Sequence, residues 1–545
     1  GDNNIAIGNY ALDATTSGAS NIAIGHEAGT ALTTAAGAVA IGHEALETED
    51  TSGTVVAIGY RALQDQNVSN SQNVAVGHSA GLNLITGTNS VYMGYEAGGT
   101  GVITGNLNVA VGSNAAENAT AMSYSVFVGP NAGGGTGPNV AAGNTCMGSG
   151  AGYAITSGAS NVLIGRIAGY DLTEGPGNIL IGKSAGENMT IGDHNIAIGY
   201  QAYDGMTTAD SNNNIAIGKD ALGACTAAVV ENIAIGRDTL GSASLGAATI
   251  NLAIGATAGY AITTGTANVL IGHEAGKTLA TASGNTALGY NALKTAVTYN
   301  NTAIGRSAGA LLDDGANNTC VGSYALTAAN AGEADNTAIG YGALASLAAD
   351  TADGNVAFGV DAGRYTPAGG AGTAMTLAIN SCYIGKGTNS VAAAGANNEI
   401  VIGYATVGLG TNTVKLGNTD IITIEGEVAT TVTSDRRIKR DIKNDDTGLV
   451  LIEKLQPVTF KKVNSADYPE EIAEPRFTEF TREQLVTPAV EAAEAVYEDA
   501  IVQEARDAVE EETHEEVHPA IEEVTEERVV EEAREEIKAM RHKHS

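Results

Sequence analysis

The chain has 545 residues, with 71 Gly but only 9 Pro, no Trp and 5 Phe; ordinary usage is about 7% Gly and about 5% Pro. Scarce proline and the lack of a Gly-X-Y period exclude collagen, and a 43% hydrophobic content excludes a disordered Gly-rich linker, which could not bury enough apolar surface to offset its ordering entropy. A formal net charge of −34 disfavours nucleic acid and anionic membrane as partners, since both require basic surface.

Two regions of different chemistry follow one another. Gly448 is the only glycine after Ser434. Residues 1–433 carry 11 Lys+Arg and 31 Asp+Glu, a net −20, whereas residues 434–545 carry 16 and 30, a net −14. No run approaches the roughly 20 apolar residues of a membrane span, and no signal peptide is visible. Position 1 is Gly, as expected of a processed or incomplete polypeptide. Cys146, Cys225, Cys320 and Cys382 lie far apart, without zinc-ligand or redox-pair spacing.

The first region is a repeat. Its unit opens Asn-apolar-Ala-Ile-Gly, as in Asn4–Gly8, Asn21–Gly25, Asn195–Gly199, Asn214–Gly218 and Asn232–Gly236, and it recurs about 24 times by Gly417. The closing glycines run 8, 25, 42, 59, 77, 94, 112, 129, mostly 17 or 18 residues apart; after Gly359 the period stretches to Gly385 and then tightens at Gly403 and Gly417. A second half follows each opening, as in His26-Glu27-Ala28-Gly29 or Lys183-Ser184-Ala185-Gly186, and then a Thr/Ser/Gly/Ala-rich stretch. A strand of four or five residues closed by Gly and repeated at this period reads as one coil of a parallel β-solenoid or β-roll. Stacking superposes each Ile, Ala and Gly on its counterpart about 4.8 Å away, giving a rod of roughly 115 Å. The narrow interior is expected to exclude aromatic rings. Glycine serves where the coil turns with positive φ, and the opening Asn residues are placed to form side-chain ladders. Cys146, Cys320 and Cys382 sit at strand positions and read as small buried hydrophobes.

This repeat resembles the head repeats of trimeric autotransporter adhesins, built on Asn-x-(Ala/Val)-Ile-Gly in a left-handed parallel β-roll, and a repeat class of bacteriophage tail fibres. The resemblance spans residues 1–420 and implies a homotrimer. The coils are longer than the shortest adhesin repeats, and residues 434–545 are not expected to form the C-terminal membrane barrel with which such an adhesin is anchored.

Residues 421–433 form a Thr/Val-rich junction. Beyond it comes Ser434-Asp435-Arg436-Arg437-Ile438-Lys439-Arg440-Asp441-Ile442, and then Leu455-Gln456-Pro457-Val458-Thr459-Phe460. These segments resemble the start of the intramolecular chaperone domain of phage tailspikes and fibres, a self-cleaving peptidase family with the signature Ser-Asp-x-Arg-(Leu/Ile)-Lys-x-x-Ile followed by Leu-x-Pro-(Val)-x-(Tyr/Phe). The resemblance implies that residues 434–545 template folding of a trimeric rod and then release themselves. It places the nucleophile at Ser434 and the general base at Lys439, with cleavage at the Ser434 boundary. A serine hydroxyl needs a neighbouring base to become a nucleophile, and a lysine serves only where burial or nearby positive charge lowers its pKa. Arg436, Arg437 and Arg440 supply that charge. Positions i and i+5 lie about 140° apart around a helix, so a turn or a partner chain must bring the pair together. Residues 482–517 read as an acidic helix, interrupted by Pro519 and followed by a second one, both with coiled-coil spacing. The Gly-containing middle of the chaperone family is not recognisable here.

Other motifs look chemical and are better read as structure. Gly177 to Ser184 matches the phosphate-loop pattern letter for letter, but its centre, Asn178 to Ile181, is itself a repeat strand. His26-Glu27, His43-Glu44 and His273-Glu274 recur at one coil position without the three or four convergent ligands of a metal site. His514 and His518 have helical metal-ligand spacing, but Pro519 follows at once. No cofactor and no metal is expected. The leading reading is a phage tail fibre or tailspike-like protein of the virion tail, extracellular when assembled. It would be a homotrimer joined to a virion tail or surface anchor, recognising a host cell-surface glycan or protein receptor. Two alternatives remain: a bacterial extracellular adhesin or filament subunit, and a glycan depolymerase spike. Any enzymatic activity would be at most a single autocleavage.

Overall fold

The computed structural model describes residues 1–421 and 423, apart from short stretches at 50, 52, 69–70, 136, 206–210, 224, 242–245, 247, 330–331, 350, 367–372 and 392–395. The chain divides into two units, Gly1–Glu427 and Val428–Ser545. Ser434, Lys439, the two segments expected as acidic helices and the His514/His518 pair lie outside the described residues.

The first unit is a parallel β-solenoid. One sheet of 24 parallel strands runs from Ile5–Ile7 to Val414–Leu416, and each of its strands pairs in register with the next. Ile5, Ala6 and Ile7 lie beside Ile22, Ala23 and Ile24, and those beside Val39, Ala40 and Ile41. The repeat of about 17 residues read from the sequence is the coil. The long interval after Gly359 has a cause: between Val356–Phe358 and Cys382–Ile384 an antiparallel pair, Tyr365–Thr366 with Thr373–Ala374, is inserted.

Within each three-residue strand the alternation of β geometry sends the middle side chain inward and its two neighbours outward. The middle residue is buried in every strand between the first and the last: Ala23, Leu163 and Leu180, for example. Ala28, Leu32 and Ala35 of the same coil join Ala23, and this pattern builds one continuous core from Leu12 to Val401. Each fully buried Leu contributes roughly 1.5–3 kcal/mol of transfer free energy. In the last strand the middle position holds Lys415, only half-buried.

The expectation of a ring-free interior is corrected here. Tyr92, Phe127, Tyr203 and Tyr383 are fully buried. Room comes from neighbours that lack bulk. Tyr92 is flanked in register by Ala75 and Ala110, and a Cβ on Gly98 would come within 2.5 Å of its ring. Phe127 lies between Ala110 and Cys146 and fills the space that a side chain at Gly133 would need.

The closing glycines form a stack of their own. Gly25 has φ 140° and Gly42 φ 142°, a conformation that L side chains avoid. A Cβ on Gly25 would also lie 2.3 Å from the Gly42 carbonyl oxygen. Conformation and contact therefore both demand glycine, coil after coil.

Candidate functional surface

Where successive coils open with Asn, as from Asn144 to Asn355, these side chains are rungs of a buried ladder. Asn161 N–H donates to Asn144 Oδ1 at 2.9 Å, Asn178 N–H to Asn161 Oδ1 at 2.7 Å, and Asn195 N–H to Asn178 Oδ1 at 2.8 Å. The amide nitrogen of most of these Asn residues reaches a backbone carbonyl of the next coil, as Asn161 Nδ2 does to Gly175 O at 3.0 Å and Asn178 Nδ2 to Gly192 O at 2.7 Å. This ladder satisfies turn groups that would otherwise be buried unpaired. Asn178 is thus a structural rung, and the strand Ile179–Ile181 occupies the middle of the phosphate-loop pattern. No α-helix follows it; among the described residues all regular elements are strands.

The outward face of the sheet is the most unusual surface. In all 24 strands the third residue is apolar, from Ile7 through Ile198 to Leu416. The first is apolar, Thr or Cys, and neither outward position is ever charged. Ile7 is 58% exposed and Phe358 57%. A monomer rarely leaves an apolar patch of more than a few hundred Å² in water, and this one runs the length of the sheet.

A second column starts one residue after each closing glycine. The next residue along is often left-handed without being glycine, as Glu27 (φ 58°), Glu44 (φ 57°) and Ser184 (φ 59°). Its N–H donates to the column residue one coil back: Glu44 to the His26 carbonyl at 2.9 Å, Ser184 to the Arg166 carbonyl at 3.0 Å. That bond helps offset the cost of the left-handed backbone, about 1 kcal/mol or more, and aligns the column side chains from coil to coil.

In the early coils those side chains are rings. His26 and His43 stack at 4.9 Å, His43 and Tyr60 at 5.4 Å, Tyr60 and His78 at 4.9 Å, and His78 and Tyr95 at 5.1 Å. His26 and His43 thus do stack, and each leans on its own neighbour, Glu27 at 3.5 Å and Glu44 at 3.3 Å. Glu44 also accepts from Arg61 Nε at 2.6 Å. Further along the column basic side chains take over, Arg166, Lys183, Lys219 and Arg237, with Tyr200 among them, all exposed. Residue types alone did not single out this column; the signal was the residue after each motif glycine, read down the coils.

The remaining candidates resolve as follows. Cys146, Cys225 and Cys320 are buried, and burial pushes their thiols up, which leaves them poor nucleophiles. Cys382 differs from the expectation: it takes the first, outward strand position and is only partly buried. Among the described residues no group of three or more His, Cys, Asp or Glu side chains converges as metal ligands, and no helix is long and apolar enough to cross a membrane. No family model matches the chain, and no curated protein matches it.

Proposed function

We propose that residues 1–420 are the shaft of a homotrimeric extracellular fibre of the phage tail fibre or tailspike kind, which presents a receptor-binding surface to a host cell. Residues 434–545 act as its intramolecular chaperone. The observation that carries the assembly is the uncharged, apolar outward face of the sheet, repeated in every strand from Ile5–Ile7 to Val414–Leu416. Copies of one chain, each turning the same face to a common axis, remove it from water by closed symmetry. The choice of three copies rests on the resemblance of the repeat to trimeric adhesin heads.

A template domain answers a problem that this sequence creates. Its coils are so alike that a slip of one coil between chains exchanges Ile22-Ala23-Ile24 for Val39-Ala40-Ile41 at little cost. Long-range parallel pairing is also slow to find. A trimeric C-terminal domain that meets first sets the register of the three shafts.

Release would follow by serine–lysine chemistry. Lys439 takes the hydroxyl proton as Ser434 Oγ adds to a backbone carbonyl at the Ser434 boundary, and passes it to the departing amine; water then hydrolyses the ester. The flanking Arg436, Arg437 and Arg440 favour the neutral amine that Lys439 needs. The test is expression of the full chain with intact-mass measurement and sedimentation. Two fragments meeting at Ser434, replaced by one uncleaved product in Ser434→Ala and Lys439→Ala, support self-release. An uncleaved wild-type chain rejects it, and a monomeric shaft rejects the assembly.

A further inference from the structure

We infer that the column Arg166–Lys183–Tyr200–Lys219–Arg237 is a binding stripe for an acidic polysaccharide laid across successive coils. This rests on the adhesive reading above and gives it a site and a ligand class. Six of the 11 basic residues that precede Ser434 occupy this one coil position: Arg166, Lys183, Lys219, Arg237, Arg306 and Lys386. A charge distribution set only by solubility would not confine the scarce cations of an acidic shaft to a single position. Four of the six fall within five successive coils.

The geometry keeps them in line. The carbonyls of Lys183, Tyr200 and Lys219 accept the N–H groups of Gln201, Asp220 and Asp238 in the next coils, at 3.0, 3.1 and 2.9 Å. Tyr200 fills the coil that lacks a cation. The Lys183 ammonium lies 5.0 Å from its ring centroid and that of Lys219 5.6 Å. Tyr200 is therefore a positioning residue, holding two ammonium groups by cation–π attraction while their remaining donors stay open to a ligand. Among the described residues neither Arg166 nor Lys183 is in an ion pair, whereas Lys219 and Arg237 are tied to Asp220 and Asp238. The strongest attraction is thus placed at the Arg166/Lys183 end.

The surroundings select a sparsely charged polymer. Asp171, Glu187 and Asp204 belong to the same coils, and a nucleic acid duplex, with a charge about every 1.7 Å, would meet their repulsion as well as the stripe. Single-stranded nucleic acid needs open ring faces on which bases stack. The rings of His26, His43, Tyr60 and His78 cover one another, and Tyr200 is flanked by lysines. A polyuronate carries carboxylates one sugar at a time and needs only a row of donors.

The experiment uses the full chain and fluorescein-labelled polygalacturonate, read by fluorescence anisotropy at low and at physiological salt. Arg166→Gln/Lys183→Gln is expected to weaken binding about tenfold and to flatten its salt dependence. Lys277→Gln/Lys294→Gln removes the same charge off the column and should change affinity less than about twofold. Lys219→Gln/Arg237→Gln provides a second on-column variant and should weaken binding less than the first pair; Tyr200→Leu should also weaken it. Uncharged dextran should not bind. Equal losses from on- and off-column pairs, no binding by the wild type, or equal affinity for a single-stranded oligodeoxynucleotide would each overturn the proposal. Sedimentation of the same samples separates the two readings. A trimer indifferent to polygalacturonate rejects the stripe alone, and a monomer that binds it through Arg166 and Lys183 rejects the trimeric shaft alone.

Discussion

The backbone N–H of Asn195 donates to the side-chain oxygen of Asn178 at 2.8 Å, while Asn178 Nδ2 donates to the Gly192 carbonyl at 2.7 Å. One side chain thus closes two backbone groups of the following coil, and both asparagines are fully buried.

Asn178→Ala should therefore leave a donor and an acceptor unpaired and cost about 2–4 kcal/mol. Because each coil touches only its neighbours, the damage is expected to stay local. Hydrogen exchange should show lost protection at the coils on either side of Asn178, with distant coils unchanged. Uniform loss along the sheet would contradict this view of the ladder.

Gly182→Ala confronts two obstacles at once, a φ of 137° and a Cβ placed 2.2 Å from the Gly199 carbonyl oxygen. The coil stack cannot open at one point without breaking its hydrogen bonds, so limited proteolysis should cut the variant there. Gly53→Ala is the control: nothing lies within 4 Å of its Cβ, and its stability should move by less than about 0.5 kcal/mol.

The outward and inward faces should respond differently. Ile181→Lys/Ile217→Lys alters outward positions in alternate coils; unfolding of the single chain should change little while sedimentation shows loss of the oligomer. Leu180→Ala empties an inward position and should cost about 2–5 kcal/mol whatever the oligomeric state.

Two carboxylates give pH dependences of opposite sign. Hydrogen bonds from Lys277 and Lys294 hold Glu274 down to about 2. Its contribution is present above the ordinary Glu value, near 4.3, and is lost as pH falls toward about 2. Glu274→Gln should remove that small acid-sensitive component from urea unfolding. Burial, chiefly, pushes Asp204 up to about 6. A raised carboxyl destabilises the fold when ionised, so stability should rise as pH falls from above 6 toward 4. Asp204→Asn should accordingly raise the melting temperature at pH 8 and have little effect at pH 4.

The coil was legible from residues alone because its demands are local. Gly25, Gly42 and their counterparts are where only glycine fits, and Asn21, Asn161 and Asn178 mark the rung that most turns use. Periodicity also fixed which residues lie side by side. It did not reveal that Tyr92 or Phe127 could be buried, since the space comes from Ala110 and from glycines such as Gly98 and Gly133. The left-handed backbone at Glu27 and Glu44 likewise depends on a hydrogen bond that each N–H donates to a carbonyl of the preceding coil.

What the sequence determined by itself is the repeat, its period, the glycine that closes each strand and the asparagine that opens most coils, set by steric and hydrogen-bonding needs that recur in every turn. Tertiary structure alone decided that Ile5, Ile7 and their successors face outward, and that the Tyr200 ring sits between the ammonium groups of Lys183 and Lys219. Both depend on how separate coils superpose. Residues about 17 positions apart become neighbours only when the chain has closed its turn.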